Sequence, residues 1–136
     1  MREIKFRAWD NLPGFMGEVR KIDFVDETIQ VLVEDNEGYY FKDWWLKEVK
    51  IMQFTGLQDC NGVDIYEGDI VNLCYEYFDG YYRDEECVGA VFFENGSFKM
   101  SYKKYGEVWE WRLDEPEILS IEVIGNIYEN PELLEV

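Results

Sequence analysis

The chain contains no histidine. That absence removes Ser-His-Asp and Cys-His nucleophile pairs, imidazole metal ligands and the commonest general base, so any catalysis would have to rest on carboxylates, Lys, Tyr or Cys. Cysteine is scarce: Cys60, Cys74 and Cys87 are odd in number and form no CxxC pair. This spacing fits neither a zinc ribbon nor a dithiol redox motif, and reduced, partly buried thiols acting as small apolar side chains are expected. Positive charge is also in short supply, with 13 Lys and Arg against 30 Asp and Glu, a formal net charge of -17. No uncharged run is long enough to span a membrane, and "MREIKFRAWD" has no apolar centre of the signal-peptide kind, so a cytoplasmic protein is expected, as its composition and start imply. Proline is rare, and there is no repeat, low-complexity tract or Gly/Ser linker to mark a domain boundary.

What is present is a large apolar and aromatic fraction, 47% and 18% of 136 residues. A chain of this length and composition folds as one domain without a disulfide or metal and buries roughly 68% of its unfolded surface. Charge steps near residue 56. Residues 1 to 56 carry 11 acids and 8 bases, net -3, and residues 57 to 136 carry 19 acids and 5 bases, net -14. Two sub-structures are expected on that basis, an N-terminal β-element over 1–56 and an acidic C-terminal β-barrel over 57–136. The second repels nucleic acid and attracts cations or basic proteins.

Apolar residues recur with period two, the signature of strands with one buried face. In "EIKFRAW" Ile4, Phe6 and Ala8 share a face, and in "ETIQVLVE" Ile29, Val31 and Val33 do the same, with an antiparallel partner expected from Tyr39. In "GAVFFENGSFKMSYKKYGEVWEWRL", Asn95-Gly96 supplies the two positive φ angles of a type I′ hairpin. That turn sets Glu94 opposite Ser97, Phe93 opposite Phe98 and Val91 opposite Met100, and predicts buried Phe93 and Phe98 rings. A third strand then presents Trp109, Trp111 and Leu113. Helix signals are limited to a short turn in "DWWLKEVK" after Asp43 and another in "NPELL", with Asn130 as cap and Pro131 at the first helical position. The fold class is mostly β, of antiparallel hairpins and meander, with one or two short helices.

The segment "LQDCNGVDIYEGDIV", residues 57 to 71, gathers four carboxylates, a thiol and two glycines. A two-residue turn at Asn61-Gly62 would set Asp59 against Asp64, an unfavourable like-charge pair. A longer loop with Asp59 first and Gly62 fourth in a type I turn is the better reading, followed by a second turn at Gly68. An EF-hand order of acids, glycine and a distal Glu is broken at the third to sixth positions, so no metal or other cofactor is assigned.

"REIKFRAWD", "MQFTGLQDCNGVDIYEGDIV" and "IEVIGNIYENPELL", in this order and spacing, resemble the YopX family of phage and prophage proteins. The resemblance spans nearly the whole chain, and its middle and last segments are the specific ones. It implies a phage or prophage protein of unassigned activity, forming a homo-oligomer, with no established catalytic residues to carry over. Separately, "EGDIV", "GAVFF" and "GSFKMS" have the rhythm of an SH3-like barrel, which says nothing about function.

Three functions compete. The first is a non-enzymatic, protein-binding module for a basic host or phage protein. Its candidate surface is the run "YEYFDGYYRDEEC", taken as a loop, with Tyr81 and Tyr82 as contacts and Glu85 and Glu86 as steering charges. The second is an acidic DNA mimic. A globule of this length spans about 37 Å, over which duplex DNA carries roughly 22 charges, so one face of this chain falls short unless copies line up. The third is a metal-dependent nuclease built on Asp35, Glu48 and Lys50, a spacing that arises often by chance. The binding module is preferred, with neither nucleic-acid nor membrane binding expected.

Overall fold

The structure, a computed structural model, describes residues 2–12 and 14–135. It is built almost wholly of antiparallel strands, and its chain divides into two compact units, Met1–Phe54 and Thr55–Val136.

The first unit contains β1 (Phe6–Asp10), β2 (Phe15–Asp23), β3 (Thr28–Asp35), β4 (Gly38–Trp45) and the beginning of β5 (Lys50–Gln58). Their order in the sheet is β4-β3-β2-β1-β5. Ala8, Ile29, Val31 and Val33 are fully buried, as the alternation requires, and Trp44 and Val49 complete their cluster. Gly17 lies opposite Ala8 and is small for a reason: a Cβ there would come within 3.0 Å of Val31 Cβ. Ile4 departs from expectation. It precedes β1 and is exposed, because the strand begins only at Phe6. The turn expected after Asp43 starts later, since Asp43, Trp44 and Trp45 remain paired with β3 and a 3-10 turn covers only Leu46–Glu48.

The second unit takes the end of β5, where β6 (Asp64–Tyr66) lies beside it, and then β7 (Asp69–Phe78), β8 (Tyr82–Glu94), β9 (Ser97–Lys104), β10 (Glu107–Arg112) and β11 (Ile118–Asn126). The five-stranded order is β10-β9-β8-β7-β11. Four strands form a meander and the fifth returns beside the first. The core cluster includes Ile65, Val71, Leu73, Val91, Met100 and Leu113. A 3-10 turn at Pro131–Leu134 follows, but Asn130 does not cap it. Its Oδ1 instead accepts from the Asn126 amide, which ties the turn back to the end of β11.

The Asn95-Gly96 turn has φ values of 52° and 80° and sets the expected register of Glu94, Phe93 and Val91. The expected burial fails at the tip. Val91 and Met100 lie inside the core, whereas Phe93 is 50% exposed and Phe98 only partly buried, their rings meeting edge to face at 5.0 Å. The hairpin runs past the end of the core, so alternation alone does not enclose these rings. Where β8 and β9 begin to pair, Gly89 passes so close that a Cβ would lie 1.9 Å from the Ser101 carbonyl oxygen. Gly89→Ala should therefore cost about 3 kcal/mol or more, since backbone must move. Phe98→Ala should cost about 2 to 3 kcal/mol and Phe93→Ala only about 1. Urea denaturation of the three variants measures this order, and equal losses at Phe93 and Phe98 would contradict it.

Candidate functional site

Three of the four carboxylates of residues 57 to 71 are held within the fold. The Asp59 carbonyl accepts from the Gly62 amide at 3.0 Å, closing the expected type I turn. The Asp59 carboxylate accepts three further amides, Asn61 at 2.8 Å, Val63 at 2.9 Å and Val123 of β11 at 2.9 Å. Burial acts against its charge, but the bonds from Val123, Val63 and Asn61 outweigh this and hold the carboxyl below its usual range. Asp69, 2% exposed, accepts the Tyr66 amide at 2.7 Å across the turn containing Gly68, whose φ is +83°. Asp64 accepts from Gln58 Nε2 at 3.2 Å. Asp59 and Asp69 thus bind separate backbone amides, and Asp64 binds a side chain. Among the described residues no three His, Cys, Asp or Glu side chains are grouped to hold a metal ion.

The nuclease triplet is not assembled. Leu46, just ahead of Glu48, bonds Glu27 at one end of the β3–β4 hairpin, whereas Asp35 pairs with Gly38 at the other. Seven strand residues, about 23 Å, separate those ends. Two of the thiols are held protonated: burial pushes Cys87 up to about 11 and also raises Cys74, which faces Asp84 and Glu86. Cys60 is exposed, against the expectation of a partly buried side chain, because it occupies the turn that Asp59 closes.

The segment read as a loop is a hairpin. β7 and β8 pair from Ile70↔Ala90 to Phe78↔Tyr82, leaving only Asp79, Gly80 and Tyr81 at the tip. The four candidate contacts are consequently dispersed. Tyr81 and Tyr82 are exposed at the tip, where the Arg83 guanidinium lies 4.7 Å over the Tyr81 ring and Phe78 meets Tyr82 edge to face at 5.3 Å. Glu85 and Glu86, as neighbours on a strand, face opposite ways. Glu86 takes a long 3.4 Å bond from Asn72, and Glu85 accepts both the Tyr75 hydroxyl at 2.8 Å and Lys104 Nζ at 2.6 Å.

Beside that contact, lined by its partners Tyr75 and Lys104, lies a groove of about 520 Å³ in the second unit. Its aromatic lining is Tyr75, Tyr77, Tyr102, Tyr105, Trp109 and Trp111, and its acids are Glu76, Glu115 and Glu117. Tyr75 forms the floor, its ring 4.9 Å from Trp111. Burial and the bond to Glu85 raise the Tyr75 phenol far above its usual range, so it remains a neutral donor. Trp109 pairs with Tyr102 across β9 and β10 and is half exposed. Tyr105 is 93% exposed at the mouth and holds a left-handed φ of +54° in the tight turn it shares with Gly106, a conformation a bulky residue rarely adopts. Lys104, paired with Glu85, lies 5.6 Å from the Tyr105 ring. Trp111 Nε1 is buried without an acceptor, an arrangement that costs about 1 to 3 kcal/mol. Chemically the groove offers flat aromatic surface and a lining of three acids with one lysine, Lys104. The sequence reading placed Trp109 and Trp111 on one strand face but did not connect them with Tyr75, 36 residues away. The shared signal was aromatic residues at alternate positions in both "CYEY" and "VWEW".

The family described as "YopX protein" matches residues 5–135. Among solved structures, the crystal structure of protein EF1440 from Enterococcus faecalis is similar over 99% of this chain and 100% of that one, with a TM-score of 0.59 and 27% sequence identity. None of the curated proteins matches.

Asp59 allows a direct check of the turn reading. Asp59→Ala leaves three backbone donors without their acceptor and should cost about 2 to 4 kcal/mol at neutral pH. Because the folded carboxyl is held below its unfolded value, its stabilisation is complete above about pH 3.9 and is lost as pH falls through the lowered value. The difference in melting temperature between wild type and Asp59→Ala should shrink below that pH; a difference independent of pH would contradict the assignment.

Proposed function

This chain belongs to the YopX family, and on that premise we propose that it is a phage or prophage protein acting in the bacterial cytoplasm as a non-enzymatic binding module for a basic segment of another protein. The groove between Tyr75, Tyr105, Trp109 and Trp111 is the observation that carries this reading. Rigid aromatic side chains provide contact area at little entropic cost, and a cation over a Trp or Tyr face gains about 0.5 to 2 kcal/mol. Glu76, Glu115 and Glu117 favour Lys or Arg over an acidic segment, in a unit whose net charge is -14 from 19 acids and 5 bases. The exposed Phe78–Tyr82 pair supports the hairpin tip, with Tyr81, as a second contact, whereas Glu85 serves the groove from beneath.

The test uses short synthetic peptides rich in Lys, Arg and Pro, with Glu-substituted versions as controls, titrated against the whole protein by tryptophan fluorescence and calorimetry. Binding should be confined to the basic peptides and weaken with salt. Trp109→Ala should lower affinity at least ~10-fold, and Glu115→Lys with Glu117→Lys should slow association. Tyr82→Ala should speed dissociation if the tip contributes. Binding to no basic peptide, or binding unchanged in all these variants, would overturn the proposal. Magnesium-dependent nucleic-acid hydrolysis abolished by Glu48→Gln would overturn its non-enzymatic part.

A further inference from the structure

Val91 of β8 with Met100 and Tyr102 of β9 turn one face of these strands to the core. Strand residues alternate faces and paired residues share one, so Val88 and Ala90 of β8, Ser101 and Lys103 of β9, and Val108 of β10 stand together on the opposite face. The 3-10 turn at Pro131–Leu134 comes to this face, and it leaves a cavity of about 280 Å³ lined by those five residues together with Leu133 and Leu134. Val88, Val108, Leu133 and Leu134 converge on this space, yet all four are exposed. A concavity with mostly apolar walls and a few polar groups is the form a small-molecule site takes.

Charge at the cavity runs against that of its unit. Residues 55 to 136 hold five basic side chains, and four are paired: Arg83 with Asp79 at 3.7 Å, Lys99 with Glu94 at 3.6 Å, Lys104 with Glu85 at 2.6 Å and Arg112 with Asp114 at 3.3 Å. Lys103 is the fifth, and it has no ion pair among the described residues. No acid lines the cavity among those residues, whereas three line the groove at Trp109 and Trp111. We infer that the cavity binds a small amphipathic carboxylate, whose apolar body lies among Val88, Val108, Leu133 and Leu134 and whose carboxylate meets the Lys103 ammonium, with the Ser101 hydroxyl as a second donor. Size and charge define this class. An apolar cavity of about 150 Å³ holds benzene, so one near twice that volume takes an aliphatic or aromatic acid of roughly ten to twelve non-hydrogen atoms. One lysine offsets one negative charge. Past Lys103, where β8 and β9 no longer pair beyond Ala90↔Ser101, the space opens into a wider cavity of about 610 Å³ that Glu86 and Glu135 also line. Those acids oppose a dianion or an acidic chain.

The probes are octanoate and its neutral counterpart octanol, titrated into the whole protein by calorimetry. Octanoate should bind one per chain with a dissociation constant of about 1 mM or tighter, and octanol at least ~5-fold more weakly. Lys103→Gln should weaken octanoate at least ~5-fold and leave octanol unchanged, while Ala90→Leu, which fills the cavity, should weaken both. Circular dichroism of each variant should match wild type, separating loss of binding from loss of fold. In nuclear magnetic resonance, Overhauser contacts from the octanoate chain should reach the methyl groups of Val108 and Leu134. Absence of one-to-one binding at about 10 mM octanoate, octanol bound as tightly as octanoate, an octanoate affinity unchanged in Lys103→Gln, or contacts that miss both methyl-bearing residues would each overturn the inference. The basic-peptide titration reads Trp109 and Trp111, on the other face of β10 from Val108, so either result can fail without the other.

Discussion

The groove depends on one carboxylate. Glu85 Oε2 accepts the Tyr75 hydroxyl from β7 and the Lys104 ammonium from β9, so a single oxygen on β8 joins three adjacent strands. The Lys104 bond, and then the Tyr75 bond, hold Glu85 below its usual range, and the same contact raises Lys104. Each partner is thereby kept in the state that maintains the link. With its hydroxyl fixed, the Tyr75 ring stays against Trp111 and gives the groove a floor. Glu85 is thus spent within the fold, while Glu76, Glu115 and Glu117 lend the groove negative charge, Glu115 also lying 3.8 Å from the Arg112 guanidinium.

Charge is divided unevenly along the chain. Residues 55 to 136 hold 19 of the 30 acids, which suits attraction of a basic partner and opposes contact between two such surfaces. Residues 1 to 54 are close to neutral and end in an aromatic strand with an open backbone edge. The fold answers its other liabilities locally. Asp59 secures a turn to β11 through the Val123 amide, and Gly89 permits a backbone approach that any side chain would block.

The strand pattern was legible wherever one face is buried and the turn chemistry is specific. Ile29, Val31 and Val33 announce β3, Asn95-Gly96 fixes a register, and Asp59 with Gly62 identifies a four-residue turn. Hydrophobic alternation reports a face, however, and not whether anything covers it, which is why Phe93 emerged half exposed. The run Tyr82–Glu86 looked like loop because acids are poor strand formers, yet β7 carries it into the ladder, so tertiary pairing overrode local preference. β2 gave little signal because Gly17 and the register shift between Val19 and Lys21 break its alternation. The groove was the least legible feature, since Tyr75, Tyr105 and Trp111 meet only after the meander has formed.

The central claim is that this aromatic groove, held by Glu85, receives a cationic segment. Nuclear magnetic resonance of the protein with nitrogen-15 in its indoles and backbone, titrated with a basic proline-containing peptide, examines it at the site. The account predicts shifts centred on the Trp109 and Trp111 indole N–H signals and the Tyr105 amide. Shifts confined to the first unit or to the Tyr81 turn, with both indoles unmoved at saturation, would contradict it.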